Sequence, residues 1–404
     1  MMPNPAEPLD EADAPVAPPR AAPARGAGVL LVANLPDGPL VGGVEVGVQM
    51  IMSSALPERH ALRLFNTDRR RDPNRPLRER LAYQLGRCRE LAAAIRRDRP
   101  HTVHVKSTVG INYWQGIVYG VIALALGRRF ILQLHGGDLD TWYEAQGRLQ
   151  RWAIRSALRL PAEVLVLSRF WQSFVTQLAP GVRTRVIPNG VELERALPRT
   201  RRHGAEMRVL ALGALGTRKG HPEIVEAAAL LKGRPVRFVF AGADEVGGEE
   251  RELRARARAL GVEDAIEFAG PADVAAKWRW LSECDVLLLP SRGENMPNAV
   301  LEAMAAELPV VCTPIGAMPE MLEDGGALFV PVGDPHAIAE ALLRLQQAPE
   351  LRADMGRKNR LAAEQRFSFT AVAAALDQLY SEGGSPPPPT PAYPRPEPVQ
   401  WTKR

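Results

Sequence analysis

The sequence is poor in cysteine, since Cys88, Cys284 and Cys312 are the only three in 404 residues. They form no C-x-x-C pair, and thiols placed in this way are typical of buried, reduced cysteines in a cytosolic protein. Histidine is also scarce, at seven residues, and no group of histidines and cysteines has the spacing of zinc ligands. We therefore predict that the protein binds no metal and no cofactor.

The sequence also lacks a long hydrophobic run. The longest, GIVYGVIALALG at 116–127, is too short to cross a bilayer. The first residues, MMPNPAEPLDEADAP, are acidic and rich in proline, the opposite of a secretory leader. We therefore expect a cytoplasmic protein that is either free in solution or attached to the inner face of the plasma membrane.

The charge balance is only mildly basic, with a net charge of +5 and a pI near 9.3. This excess fits a protein that handles anionic substrates or contacts an anionic membrane. It does not indicate nucleic-acid binding.

Short apolar runs alternate with helical patterns between two tails, 1–27 and 383–404, whose proline content predicts disorder. Such alternation predicts parallel sheets covered by helices on both faces. A polar, basic stretch near 192–206 divides the runs into two series, so we predict two doubly wound α/β domains. The predicted strands are 29–34, 102–106, 129–135, 162–168 and 185–189, then 207–213, 236–242, 265–270, 284–290 and 309–314.

Ligands of doubly wound domains bind beyond the carboxyl ends of the strands, and the sequence places its unusual motifs there. GPLVGGVEVG (38–47) puts Gly42 and Gly43 before a helix, where backbone amides suit phosphate; a simple turn is the alternative. LHGGDLD puts His135 at a strand end, where it suits a substrate hydroxyl; a histidine with internal hydrogen bonds is the alternative. Arg218 and Lys219 follow another strand and suit a diphosphate; a solvent-exposed basic pair is the alternative.

The segment GENMPNAVLEAM (293–304) contains two acids, Glu294 and Glu302, with Pro297 between them. Pro297 suits the first turn of a helix, so Glu294 is predicted in the preceding loop and Glu302 inside the helix. The loop acid suits sugar hydroxyls and the helical acid suits ribose, while the amides of 295–298 suit phosphate. Each acid is then engaged with hydroxyls, which argues against an acid/base pair.

These ordered motifs resemble those of the retaining glycosyltransferases of sequence family 4, which have the GT-B fold, over about residues 28–382. The matching segments are Gly42-Gly43-Val44-Glu45, His135, Val186–Val191, Lys219-Gly220, Glu294 with Glu302, Gly316 with Glu320, Asp324-Gly325, and the terminal helix at 366–380.

The resemblance implies an acceptor-side domain at 28–195, a nucleotide-sugar-binding domain at 196–365, and a helix at 366–382 that crosses back to the first domain. It assigns catalysis to His135 near the reacting carbon, to Lys219 at the diphosphate and to Glu294 at the sugar. The implied donor, a UDP- or GDP-linked sugar, contacts Gly42, Gly43, Arg218, Lys219, Phe268, Gly270, Glu294, Asn295, Met296, Pro297, Asn298 and Glu302.

Two positions depart from the family pattern. The family commonly has arginine where this chain has Ala214, so the diphosphate loses one expected charge unless Arg218 replaces it. Met296 lies in an N-M-P-N loop that replaces the commoner G-F-P/G and is expected to alter the donor-sugar pocket.

The segment GRLQRWAIRSALRL (147–160) predicts a basic amphipathic helix. Leu149, Trp152, Ala153, Ser156 and Leu160 share one side, which predicts contact with anionic lipid; the alternative is an apolar side packed on the core.

The resemblance implies a glycan or lipid-linked acceptor and a role in cell-surface polysaccharide or lipopolysaccharide synthesis. Two alternatives stay open: a non-catalytic nucleotide-sugar-binding protein, suggested by Ala214, and a nucleotide-sugar epimerase of the same fold. A Rossmann dehydrogenase is disfavoured because no GxGxxG follows the first strand of either domain.

Overall fold

The computed structural model describes residues 28–36, 42–67, 76–200 and 206–382. The two predicted tails lie outside these described residues, as does the beginning of the glycine loop, at 37–41.

The N-terminal part forms a parallel sheet in the order β2-β1-β3-β4-β5-β6. Its strands are β1 (Val29–Ala33), β2 (Arg63–Asn66), β3 (Thr102–Ser107), β4 (Arg129–Leu134), β5 (Glu163–Val166) and β6 (Thr184–Val186). Its helices are α1 (Gly43–Met52), α2 (Leu56–Arg59), α3 (Leu77–Asp98), α4 (Ile111–Ala125), α5 (Leu139–Glu144), α6 (Arg148–Ala157) and α7 (Arg169–Leu178).

The C-terminal part forms a second parallel sheet, in the order β12-β11-β10-β7-β8-β9. Its strands are β7 (Met207–Leu212), β8 (Val236–Ala241), β9 (Ile266–Gly270), β10 (Val286–Leu289), β11 (Val310–Cys312) and β12 (Ala327–Phe329). The helices that follow β7 are α8 (His221–Leu230), α9 (Glu249–Ala259), α10 (Val274–Glu283), α11 (Asn298–Ala305), α12 (Met318–Met321), α13 (Pro335–Gln347), α14 (Pro349–Ala362) and α15 (Phe369–Ser381).

The predicted class of two doubly wound parallel sheets is therefore confirmed. Two strands were missed, β2 and β12. Both are short edge strands in which no residue is fully buried. β2 (RLFN) has a polar residue at each end, and β12 (ALF) is apolar but only three residues long, shorter than the apolar runs that indicate a strand.

The last helix, α15, packs on the first sheet rather than on the second. Leu376, Leu379 and Tyr380 are buried in one cluster with residues of β1 and β4, and the Tyr380 hydroxyl lies 2.8 Å from Nδ1 of His104. The two connections between the sheets run side by side, because Val191 pairs with Ser368 in a short parallel bridge. No helix within the described residues is long and apolar enough to cross a bilayer.

The helix α6 corrects one sequence expectation. Its core side is formed by Ile154 and Ala157, which are buried. Leu149 is 77% exposed and Trp152 is 65% exposed, so the interpretation that packed these two side chains on the core is wrong. Ile154 and Ala157 are three residues apart and face the sheet, which leaves Leu149 and Trp152 on another side of the helix.

Candidate functional site

The carboxyl ends of the two sheets meet at a narrow contact between loops. Gly136 and Gly137 follow β4, and Glu294 and Asn295 follow β10. The Asn295 side-chain amide donates to the Gly136 carbonyl oxygen at 3.2 Å. A Cβ atom on Gly137 would lie 2.7 Å from the Asn295 nitrogen, so only glycine permits this approach.

The N-terminus of α11 faces the first turn of α1 across the same cleft. The Asn298 side-chain amide lies 3.4 Å from the Gly43 carbonyl oxygen. Asn189, which precedes the connection between the domains, donates from Nδ2 to the Met296 carbonyl oxygen at 3.0 Å and to Asn298 Oδ1 at 3.1 Å. The structure thus brings together α1, the segment that contains Asn189, the loop that contains Met296, and α11. Gly43, Met296 and Asn298 are predicted donor-binding residues.

Gly42 and Pro297 cap the two facing helices. Gly42 precedes α1, and its amide donates to a carboxylate oxygen of Glu45 at 3.1 Å. Pro297 directly precedes α11 in an extended conformation, one residue before the first turn in which the sequence predicted it. The Met296 side chain is buried in the core of the C-terminal part, and its sulfur accepts from the Asn189 amide at 3.2 Å.

Lys219 and Glu294 form an ion pair at the carboxyl ends of β7 and β10. The ammonium donates to Glu294 Oε1, and the Ser291 hydroxyl donates to the same oxygen at 2.9 Å. The Lys219 side chain is 13% exposed and that of Glu294 is 8% exposed, so both are largely withdrawn from solvent. A lysine and an acid that lie 75 residues apart in the sequence therefore form one charged centre.

Arg218 does not join this centre. Its Nε donates to Glu245 Oε1 at 2.5 Å, and its side chain is 41% exposed. Arg218 is therefore solvent-exposed, which was the alternative interpretation of this basic pair. In this arrangement its guanidinium does not replace the charge that is absent at Ala214.

Glu302 is buried inside α11 and is paired with Lys277 of α10, whose ammonium donates to Glu302 Oε1 at 2.5 Å. Burial raises the pKa of Glu302, while the Lys277 charge acts in the opposite direction. Lys277 was missed because the sequence around it is an ordinary amphipathic helix. Its contribution depends on a neighbouring helix that the sequence pattern does not specify.

Phe268 and Gly270 lie at the end of β9. The Phe268 ring packs edge-on against Phe240 at 5.2 Å, and the Arg254 guanidinium lies 4.2 Å from the ring centroid. Gly270 has φ of +70°, and no atom of the described residues lies within 4 Å of the position that a Cβ would take. The end of this strand therefore borders open space.

His135 directly follows β4, and its backbone amide donates to the Ser107 carbonyl oxygen at 2.8 Å. The residue is 9% exposed, and its Nε2 atom has no hydrogen-bond partner among the described residues. Burial lowers the pKa of the imidazole well below its ordinary value, and the charges of Lys106 and His104 lower it further. The ring is therefore neutral at pH 7, with one polar atom left for a ligand.

The arrangement suits binding of a phosphorylated sugar better than acid–base hydrolysis. Each of the two acids, Glu294 and Glu302, is paired with a lysine, so neither is poised to transfer a proton to the other. The N-terminus of α11 lies between Glu294 and Glu302 in the sequence, and its free backbone amides point into the cleft between the domains. Within the described ranges, no cluster of three histidine, cysteine, aspartate or glutamate side chains could hold a metal ion.

Comparisons with known proteins identify the family and the fold. A family model described as Glycosyltransferase Family 4 matches residues 20–195, and one described as Glycosyl transferases group 1 matches residues 206–348. D-inositol 3-phosphate glycosyltransferase 2 of Catenulispora acidiphila is 31% identical over 219 residues, 50% of this chain and 51% of that protein. The amylovoran biosynthesis glycosyltransferase AmsK of Erwinia amylovora is 30% identical over 233 residues, 55% of this chain and 53% of that protein. The chain thus spans about half the length of these relatives.

A solved structure supports the fold over nearly the whole described chain. The Anabaena protein HepE, crystallised in complex with UDP, superposes with a TM-score of 0.69 at 18% identity and covers 88% of this chain and 100% of HepE. Together with the two sheets, this likeness bears out the predicted GT-B architecture.

Proposed function

We propose that this chain, which belongs to the group 1, family 4 glycosyltransferases, transfers a sugar from a nucleotide-diphosphate donor to a hydroxyl group of a glycan or lipid-linked acceptor. The observation that carries the proposal is the Lys219–Glu294–Ser291 centre, which lies beside the N-terminus of α11 and opposite the first turn of α1. Cationic and amide donors converge there on the place where a diphosphate leaving group would gain charge.

We propose UDP as the nucleotide, with GDP as the other candidate. The complex of HepE with UDP supports this choice, because HepE shares the fold over nearly its full length. In this chain, Glu302 would accept hydrogen bonds from the ribose, and the end of β9 at Phe268 and Gly270 would face the base. Glu294 would accept from hydroxyls of the transferred sugar once the diphosphate draws Lys219 away from it.

The proposed reaction retains the anomeric configuration and uses no metal. The bond between the anomeric carbon and the β-phosphate oxygen breaks, while a bond from the acceptor oxygen forms on the same face. The acceptor proton passes to the departing phosphate, so no enzyme nucleophile is needed. Lys219, the amides of the glycine loop and the α11 N-terminus stabilise the leaving charge, and the loop contact at Gly137 and Asn295 excludes water.

The setting we propose is the assembly of a surface polysaccharide or lipopolysaccharide at the inner face of the plasma membrane. The name of the relative AmsK supports the product class. The side chains of α6 support the location, because Leu149 and Trp152 are exposed beside the exposed Arg148 and Arg155. Apolar side chains rimmed by arginine suit an interface of anionic lipid.

The location is tested by sedimentation with vesicles of phosphatidylcholine alone or mixed with phosphatidylglycerol. The wild-type protein should sediment with the anionic vesicles, and Trp152→Ala should sediment several-fold less. Leu260→Ala, an exposed leucine of the other domain, is the matched control. Equal sedimentation of Trp152→Ala and the wild-type protein would remove α6 from the proposal.

The function is tested by measuring the unfolding midpoint against UDP-, GDP-, ADP- and dTDP-sugars. A ligand at one hundred times its Kd adds about 2.7 kcal/mol to the free energy of unfolding, which raises the midpoint clearly. One donor should do so, and Glu294→Ala should lose the shift while Glu226→Ala, a paired surface acid on α8, keeps it.

Two outcomes would redirect the proposal. Donor binding without transfer to any acceptor would favour a non-catalytic sugar-nucleotide-binding protein, an alternative that Ala214 motivates. Conversion of the donor to its epimer in the absence of any acceptor would favour an epimerase. No shift with any of the four donors would overturn the proposed function.

A further inference from the structure

A lysine without a partner lies on the N-terminal wall of the cleft. Lys106 is the penultimate residue of β3 and is partly exposed. Its ammonium nitrogen lies 4.0 Å from the position that a Cβ on Gly47 would take, so it rests against the second turn of α1. Across the described residues, neither a hydrogen bond nor an ion pair reaches this ammonium.

The neighbours of Lys106 supply no compensating charge. Gln133 lies directly opposite on β4 and therefore on the same face of the sheet, and His135 follows two residues later on that face. His135 Nε2 is buried without a partner among the described residues, whereas the uncharged Gln133 interacts with His104. Glu45 on α1 is already engaged, since its oxygens accept from Asn34 Nδ2 at 2.9 Å and from the Gly42 amide at 3.1 Å.

The other two lysines of the cleft behave differently. Lys219 and Lys277 are each paired with a buried carboxylate of their own domain. A partly buried ammonium with no acid beside it costs free energy in the folded protein. Such a cost is commonly retained where a ligand supplies the missing charge. Burial lowers the pKa of Lys106 only to about 8, so the side chain is still mostly charged at pH 7.

We propose that Lys106 and His135 bind an anionic group of the acceptor, a phosphate or a carboxylate. This inference rests on the proposed function, which places the acceptor on the N-terminal side of the cleft. The ammonium offers the charge, and Nε2 of the neutral imidazole, in the tautomer protonated there, donates a second hydrogen bond. A lysine is a point charge without the planar fork of arginine, so it accepts both kinds of oxyanion.

The test measures the unfolding midpoint of the full chain with UDP present at saturation, so that the diphosphate site is filled. The probes are glycerol 1-phosphate, glucuronate and uncharged glycerol. At least one of the two anions should raise the midpoint of the wild-type protein, and glycerol should not. Lys106→Met should weaken binding of that anion by about tenfold or more, whereas Lys106→Arg should retain most of it.

Two controls separate this inference from the proposed function. Titration with UDP alone should give the same Kd for Lys106→Met as for the wild-type protein, because Lys106 is not a donor-binding residue. Lys219→Met should bind UDP more weakly than the wild-type protein. A UDP shift without any anion shift that depends on Lys106 would overturn this inference alone. An anion shift that persists in Lys106→Met but disappears in Lys219→Met would also overturn it, because the anion would then occupy the diphosphate site. Absence of a UDP shift in the wild-type protein would overturn the proposed function.

Discussion

The two walls of the cleft handle charge in opposite ways. On the C-terminal wall each cation meets an acid: Lys219 pairs with Glu294, and Lys277 pairs with Glu302. On the N-terminal wall, Lys106 and His135 lie on one face of the sheet, and neither is paired with an acid among the described residues. Both walls are built from the carboxyl ends of parallel strands, so the difference comes from the side chains and not from the fold.

This difference separates two ways of receiving a ligand. Under the proposed function, a diphosphate on the C-terminal wall would compete with Glu294 for Lys219 and would release that acid for the sugar hydroxyls. Without a ligand, the lysine and glutamate charges of the C-terminal wall balance, and a bound ligand would replace the pairing between Lys219 and Glu294 with its own contacts. The N-terminal wall has nothing to exchange, so a ligand adds partners to groups that have none. Binding to this wall should therefore stabilise the folded protein more for each contact formed.

The largest effect is expected from removing the cation of the C-terminal pair. Lys219→Met should lower the rate of sugar transfer about 10²- to 10³-fold, since it deletes one stabilising donor at the leaving phosphate. The rate is measured at saturating donor, with circular dichroism to verify the fold. A rate equal to that of the wild-type protein would mean that the pair is structural only.

The pair formed by Lys277 and Glu302 is expected to affect the stability of the folded protein. Lys277→Met leaves Glu302 buried without a partner, which should lower the free energy of unfolding by about 3 kcal/mol. The double variant Lys277→Met/Glu302→Leu replaces both charges with apolar groups and should recover most of that loss. Urea unfolding at pH 7 measures both variants. If the single variant is as stable as the wild-type protein, the two side chains are not effectively desolvated.

On the N-terminal wall, removing the lysine is expected to raise the free energy of unfolding, not to lower it. Burial lowers the pKa of Lys106 from 10.5 to about 8, so between these values the unfolded chain binds more protons than the folded protein. The free energy of unfolding of the wild-type protein should therefore gain a contribution that rises with pH across this window. Lys106→Met should be more stable than the wild-type protein at pH 7 by about 1 to 3 kcal/mol.

That gain should shrink as the pH rises from 8 towards 10.5, because the wild-type lysine then becomes neutral. Urea unfolding at several pH values, with Lys358→Met on the surface of α14 as the control, measures it. A loss of stability in Lys106→Met at pH 7 would mean that the lysine already has a favourable partner.

The smallest effect is expected where the walls touch. Asn295→Ala removes the hydrogen bond to the Gly136 carbonyl oxygen, which should cost about 1 kcal/mol of the closed arrangement. The KM for the donor should rise about fivefold, with little change in the urea midpoint. An unchanged KM would indicate that closure does not depend on this contact.

The central part of the fold could be predicted from the sequence, and its edges could not. Strands such as β1 and β10 are continuous apolar runs that only a covered parallel sheet accommodates. The edge strands β2 and β12 are too short to show such a run, because β2 contains two apolar residues and β12 contains three.

The positions of the site residues were also predictable, because loops after parallel strands converge. Their partners were not predictable. Lys277 and Glu302 are 25 residues apart and lie on separate helices. Lys106 has no ion pair because the residue opposite it on β4 is the uncharged Gln133, and the sequence does not specify this pairing. The apolar face of α6 was assigned from helical spacing alone, which cannot say whether Trp152 faces the core or the solvent.

The position of α15 has a consequence for the order in which the protein forms on the ribosome. The first domain is synthesised early, yet part of its core, Leu376, Leu379 and Tyr380, leaves the exit tunnel only after the whole second domain. Until then, the hydrophobic face of the sheet that includes Leu31 and Ile131 is covered only in part, by α1 and α2, and His104 has no hydroxyl from Tyr380. Completion of the N-terminal domain is therefore a late event in biosynthesis, and the nascent chain must remain unaggregated with part of that face open while about 180 further residues are translated.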